Sequence, residues 1–253
     1  MLIDTHTHLY YDSMKDRIED VILQAKDNGV LQMICIGTDL KSSEECIKIA
    51  ENFENIYATV GIHPHDSNDV PLNYLHELFQ LAKSSKKVVA IGEIGIDHFR
   101  NLSPQKIQNK VMIEQMELAY DLSLPIVFHN RDADSEIYEI LKNNSFHRAL
   151  AHCFSSNLSF AKKLCDLGIL ISFSGNITFK NASNHDALMA LTLNQFVLET
   201  DCPFLAPHPF RGEKNEPKYL KIIAQKAAEL HGVSLDEIEI HTTRNAKTFF
   251  NLS

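Results

Sequence analysis

His6 and His8 stand two residues apart in Ile3-Asp4-Thr5-His6-Thr7-His8-Leu9. On an extended strand such residues share a face, so two imidazoles are presented together as the apolar Leu2-Ile3 run ends. Neutral imidazole is a good ligand for a divalent metal, and two from one strand supply half a site. Further ligand types close other apolar runs: Gly61-Ile62-His63-Pro64-His65, Glu93 in Ala90-Ile91-Gly92-Glu93-Ile94-Gly95, His129 after Pro125-Ile126-Val127-Phe128, His152 after Arg148–Ala151, and Asp201 in Glu199-Thr200-Asp201.

Those runs are the strands of a repeating pattern. Short β-rich stretches at Leu2–Thr5, Leu31–Ile36, Ile56–Val60, Val88–Ile94, Pro125–Phe128, Arg148–His152, Gly168–Phe173 and Gln195–Glu199 alternate with amphipathic segments. The helices are expected near Lys15–Asn28, Ser42–Asn52, Leu72–Ser84, Pro104–Asp121, Asp132–Lys142, Leu158–Leu167 and Ser183–Thr192, with Lys218–His231 and Ser234–Phe250 closing the chain. Eight alternations in 253 residues predict one α/β domain over 1–253, a (β/α)8 TIM barrel. A doubly wound sheet would more naturally carry a Gly-x-Gly-x-x-Gly turn after its first strand, where this chain has histidines.

Barrel enzymes do their chemistry at the C-terminal ends of the strands, where all six candidate ligands His6, His8, Glu93, His129, His152 and Asp201 fall. Four imidazoles and two carboxylates exceed one tetrahedral zinc site. They suit two divalent ions roughly 3.5–4 Å apart, able to activate a bridging water. Glu93 is the expected bridge, since Lys86 and Lys87 lie at the wrong end of its strand to serve as a modified lysine. Period two puts Val89, Ile91 and Glu93 on one face, and gives Asp4 and Glu199 the inward parity of His6 and Asp201. Asp4 and Glu199 are thus expected either to orient ligands or to hold backbone amides. Asp201 is the candidate to orient the attacking water and take its proton. His63 and Arg131 are the candidate phosphate contacts, Arg131 through its planar fork of donors, with an ion pair to Asp132 or Asp134 as the alternative. His65 is given no role. Zinc fits histidine-rich coordination, whereas magnesium or manganese often serves phosphoryl transfer.

The bulk composition narrows the setting. A net charge of -9 argues against broad, sequence-independent grip on duplex nucleic acid, but not against one strand end held at a local cationic site. No apolar run reaches membrane length, and no obligate protein partner is evident. The five scattered cysteines and the lack of a signal-like segment lead to the expectation of a cytoplasmic protein.

Taken as a set, these stretches resemble the TatD-like metal-dependent deoxyribonucleases of the amidohydrolase superfamily. Pro125–Arg131, His152-Cys153-Phe154-Ser155, Ser174–Lys180, Leu198–Leu205 and Arg211–Pro217 extend the resemblance over essentially the whole chain. Ser156, His98 and Glu213 depart from the family's usual glycine, aromatic and basic residues. The resemblance implies a nuclease acting from 3′ ends of DNA, single-stranded DNA being the expected substrate. It also implies that His6, His8, Glu93 and Asp201 hold one metal while Glu93, His129 and His152 hold the other. The alternatives are hydrolysis of an ester, lactone or C–N bond by the same metals, D-aminoacyl-tRNA deacylation, and a barrel kept only as a binding module.

Overall fold

In the computed structural model, residues 1–144 and 148–252 are described. Eight parallel strands lie in sequential order in one sheet: β1 (Leu2–Thr7), β2 (Val30–Ile36), β3 (Ile56–Val60), β4 (Val88–Asp97), β5 (Ile126–Arg131), β6 (Ala149–Ala151), β7 (Leu170–Phe173) and β8 (Phe196–Leu198). The ring closes where Thr7 bridges Cys202 in parallel and the Thr5 hydroxyl donates to the Leu198 carbonyl. Among the described residues, ten α-helices accompany the strands: α1 (Asp12–Lys15), α2 (Ile18–Asp27), α3 (Leu40–Asn52), α4 (Tyr74–Ser84), α5 (Gln105–Leu122), α6 (Asp134–Asn143), α7 (Leu158–Asp166), α8 (His185–Ala190), α9 (Leu220–His231) and α10 (Leu235–Phe250). The expected (β/α)8 barrel is the observed fold.

Alternation along the strands sorts the apolar side chains into two layers. Ile3, Ile34, Ile36, Val89, Val127, Leu150 and Val197 fill the barrel interior, and Ala246 and Phe250 of α10 pack with them. Their neighbours in sequence, among them Met33, Cys35, Phe128 and Leu198, join the larger layer beneath the helices. Burying one such side chain stabilises the fold by about 1.5–3 kcal/mol. The apolar plug leaves the other mouth of the barrel to polar residues.

Three local departures from the sequence reading set the site. The single helix expected over Lys15–Asn28 is two, broken at Arg17, whose guanidinium pairs with Glu216 in the loop after β8. In β4, three residues from Ile91 to Ile94 face two on β5, so Ile91 joins the outer layer and does not share a face with Glu93. In β1, Asp4 pairs with Met33 and Thr7 with Cys35, again three steps against two, so Asp4 does not alternate regularly with His6.

A fourth departure is that β6 and β8 stop short. His152 and Glu199–Asp201 lie just beyond the strands, and the chain turns sharply at Cys153 (φ 46°) and Asp201 (φ 58°). Left-handed backbone at residues other than glycine is uncommon and costs energy, so the surrounding contacts must hold it. They do: the Asp201 amide donates to the His6 carbonyl at 3.0 Å, and the Cys153 amide donates to Glu199 at 2.9 Å.

Candidate metal centre

Glu93 is the middle of the site. Its strand approaches β5 closely because Gly92 and Gly95 have no side chain. A Cβ at Gly95 would sit 2.1 Å from the His129 carbonyl oxygen, and one at Gly92 would sit 2.7 Å from that of Val127. With that approach, the two carboxylate oxygens of Glu93 face different histidines. Oε2 lies 3.3 Å from Nε2 of His6. Oε1 lies 3.2 Å from Nδ1 of His129, 3.4 Å from Nε2 of His63 and 3.6 Å from Nε2 of His152.

Around the first oxygen, β1 delivers what its spacing promised. Nε2 of His6 and Nε2 of His8 are 3.3 Å apart, and Oδ1 of Asp201 is 3.5 Å from the latter and 3.9 Å from the former. His8 is steadied through Nδ1, which is 3.2 Å from the Ile36 carbonyl and 3.3 Å from the Tyr10 hydroxyl. Among the described residues His6 has no such partner: its buried Nδ1 is without a hydrogen bond, and the ring stacks on His152.

Of the three histidines at the second oxygen, His129 and His152 are each flanked by a carboxylate on both sides. Nε2 of His129 is 3.1 Å from Asp97 Oδ2, and Nδ1 of His152 is 2.8 Å from Glu199 Oε1. The outer carboxylates fix the ring orientations, leaving the inner nitrogens directed at Glu93. Asp97 also meets Nε2 of His65 at 2.8 Å and accepts from the Arg100 amide.

Burial and charge set the protonation of this cluster. Burial and neighbouring His152 push His6 down to about 3, and burial likewise takes His63 to about 4. Burial would raise Glu93, but the imidazoles of His152 and His63 outweigh it and hold the carboxyl well below its ordinary range. Burial would lower His129 and His152, yet the flanking carboxylates prevail: His129 is raised, and His152 is raised to about 10. The neutral His6 imidazole and the ionised Glu93 carboxylate are donors suited to a divalent cation. The excess of acidic groups at the other oxygen is what such a cation would balance in place of the protons. The residues fit a metal; His6, His8 and Glu93, and separately His63, Glu93 and His129, converge closely enough to hold one.

All six expected ligands therefore meet in one cluster. His63, expected at phosphate, stands inside it against Glu93. Arg131 is exposed on the rim, and among the described residues it pairs with neither Asp132 nor Asp134; its guanidinium lies over the Phe99 ring at 3.9 Å. Of the two uncertain acids, Glu199 orients His152, whereas Asp4 accepts from the Thr200 amide and hydroxyl at 2.9 and 2.6 Å. Burial raises the Asp4 carboxyl to about 8. Two participants carried no assigned role in the sequence reading, Asp97 and His65. A signal existed for Asp97, four residues beyond Glu93 on the same strand, whereas His65 lies in the 3₁₀ turn that follows His63 and reaches Asp97 only through the fold.

Comparison with known proteins agrees with this geometry. The family model described as TatD related DNase matches residues 3–251. The chain is 38% identical over 256 residues to the uncharacterized metal-dependent hydrolase YabD of Bacillus subtilis, covering 100% of both. It is 32% identical to the uncharacterized metal-dependent hydrolase YcfH of Escherichia coli K12, covering 99% of this chain and 96% of the relative. The crystal structure of the TatD homolog YJJV from Escherichia coli K12 superposes with a TM-score of 0.96 at 30% identity, over 100% of this chain and 98% of that one. Looser fold likeness extends to an amidohydrolase from Saccharomyces cerevisiae, with a TM-score of 0.87 at 18% identity over 98% and 99% of the two chains. With its ligand-type residues gathered at one barrel mouth and family likeness running from end to end, the chain belongs to the TatD-related DNase family and is a metal-dependent hydrolase.

Proposed function

We propose that the cluster is a binuclear divalent metal centre and that the protein is a deoxyribonuclease removing nucleotides from 3′ ends of single-stranded DNA. The observation that carries the binuclear reading is the division of Glu93: one oxygen faces His6, and the other faces His129, His63 and His152. In this reading His6, His8, Glu93 and Asp201 hold one ion, and Glu93, His129 and His152 hold the other. Divalent ions held there would supply an activated water at neutral pH and neutralise charge on the phosphoryl oxygens.

The chain's own residues supply the rest. Asp201 Oδ1, beside the Nε2 atoms of His6 and His8, accepts the proton of the attacking water. His63, within the cluster but outside the two assigned ligand sets, contacts a phosphoryl oxygen next to Glu93. Arg131, whose guanidinium lies over the Phe99 ring, offers its N–H donors to a phosphate of the strand. The description of the matching family as DNase-related supports phosphodiester hydrolysis over neutral ester or amide hydrolysis.

The test is a panel of samples reconstituted with magnesium, manganese or zinc and supplied with end-labelled oligonucleotides and with neutral esters and lactones. Laddered loss from the 3′ end is the expected result. Loss of a charge-assisted contact in Arg131→Ala or His63→Ala should lower catalytic efficiency on the oligonucleotide about ten- to a hundredfold. Turnover of lactones with untouched oligonucleotides would replace the nuclease by the amidohydrolase alternative.

A further inference from the structure

Two glutamines sit where packing alone would favour apolar side chains. Gln108 and Gln115 are fully buried on the inner face of α5, among Val111, Met112, Met116 and Ala119. Glutamine is mostly a surface residue, and burying its amide is costly unless its polar atoms find partners. Seven residues make nearly two helical turns, so the pair share one face and stand about 10 Å apart along the axis.

Each side-chain amide binds both the N–H and the C=O of a single residue, as a neighbouring strand would. Gln108 Oε1 accepts the Asp97 amide at 2.8 Å, while Nε2 donates to the carbonyls of Asp97 at 3.3 Å and Ser103 at 2.7 Å. Gln115 Oε1 accepts the Ile62 amide at 2.7 Å, and its Nε2 donates to the Ile62 carbonyl at 3.1 Å. The reason lies in the sheet. β3 last pairs with β4 at Val60–Ile91 and ends there, whereas β4 runs on to Asp97. Buried backbone groups beyond that point still need partners, and the two glutamines supply them.

Both clamped residues adjoin the metal cluster. Asp97 Oδ2 is 3.1 Å from Nε2 of His129 and 2.8 Å from Nε2 of His65. Ser103 extends the first clamp, since its hydroxyl donates to the His65 carbonyl at 2.8 Å. Ile62 precedes His63, whose Nε2 is 3.4 Å from Glu93 Oε1. A methionine would fill either place without burying an amide, so filling space does not account for the glutamines. We propose that Gln108 and Gln115 are positioning residues with separate outputs: Gln108 fixes Asp97 and through it the hold of His129 on its ion, and Gln115 fixes Ile62 and through it the approach of His63 to the substrate phosphate. The inference rests on the two-ion phosphodiesterase reading for what those histidines do.

Gln108→Met and Gln115→Met keep the bulk of the side chain and remove its hydrogen bonds. In the full chain loaded with manganese, chelator titration with metal analysis follows the release of each ion. Gln108→Met should lose one ion at about tenfold lower chelator than wild type, the lower end for a disturbed outer partner of a ligand. The other ion should leave as in wild type. Gln115→Met should keep the wild-type release profile but lose about tenfold in kcat/KM on bis(4-nitrophenyl) phosphate, the scale of one misplaced charge-assisted contact. Double-mutant cycles separate these routes from a general loss of packing. Gln108→Met should add nothing to the metal release of Asp97→Asn, and Gln115→Met nothing to the rate loss of His63→Ala. Additive cycles, or the same shift in both readouts from both variants, would overturn the proposal. Should either variant not fold, amide hydrogen exchange of the wild type decides. The Ile62 and Asp97 amides should be protected like those within β3 and β4, and rapid exchange at both refutes the clamps. The phosphodiesterase reading fails separately, if the wild type leaves the diester intact while the Gln108 cycle on metal release still holds.

Discussion

Glu199 and His152 meet across the barrel mouth, Oε1 of the acid 2.8 Å from Nδ1 of the imidazole, although they leave different strands. The same oxygen accepts the Cys153 amide, so one carboxylate orients the ring and steadies the sharp turn after it. Glu199→Gln keeps the shape but removes the charge that fixes the ring's proton. Metal affinity should fall about ten- to a hundredfold, on the scale of losing a ligand's outer partner. Chelator competition monitored by metal analysis reads this directly, and an unchanged affinity refutes the orienting role.

Asp97 offers a parallel test on the other side of Glu93. It touches both His129 and His65, and removal of its carboxylate in Asp97→Asn should loosen the metal on that side alone. One ion per chain should be lost at chelator concentrations that leave the other bound. Simultaneous loss of both, or of neither, counts against two separable sites.

Glu93→Gln should be the most costly single change in the cluster. Turnover should fall by more than about a hundredfold, the scale of lost electrostatic stabilisation at a reacting centre. Bound metal should fall with it. A variant with normal metal content and normal turnover rules out the bridging role.

Metal removal should abolish hydrolysis and restore it on reconstitution. Chelated protein, verified free of metal, should show no release from a labelled oligonucleotide until magnesium, manganese or zinc is returned. Full activity in excess chelator would end the two-metal proposal.

Away from the site, Glu216 makes stability depend on pH. Burial would raise its carboxyl, but Lys218 and Arg17 outweigh it and hold it below its ordinary value of 4.5. The unfolded chain therefore takes up this proton first as pH falls. The contribution is full above about 4.5 and is lost below it, as pH drops through the folded value. Glu216→Gln should cost about 1–2 kcal/mol at pH 7, for a partly buried charge-assisted contact, and the difference from wild type should shrink toward pH 3. Urea unfolding of metal-free protein across that range measures it; a difference independent of pH excludes this linkage.

The alternation of apolar runs with amphipathic segments determined the barrel, because strand and helix periods are local properties that each segment carries alone. His6, His8, Glu93, His129, His152 and Asp201 were legible for the same reason: each ends an apolar run, and parallel strands bring all such ends to one mouth. What only the tertiary structure decided depends on single-residue irregularities. The extra residue between Ile91 and Ile94 changes which neighbours share Glu93's face, and the one between Asp4 and Thr7 sends Asp4 to Thr200. Period-two reasoning misses both, since a one-residue slip reverses parity and leaves no mark in composition. Asp97 and His65 likewise acquire their role from each other, between the end of β4 and the turn after β3, and the Phe99–Arg131 and Phe179–Arg211 pairs join residues about thirty positions apart in sequence. Individual residues announce what chemistry they can do; their partners are fixed only once the strands are in register.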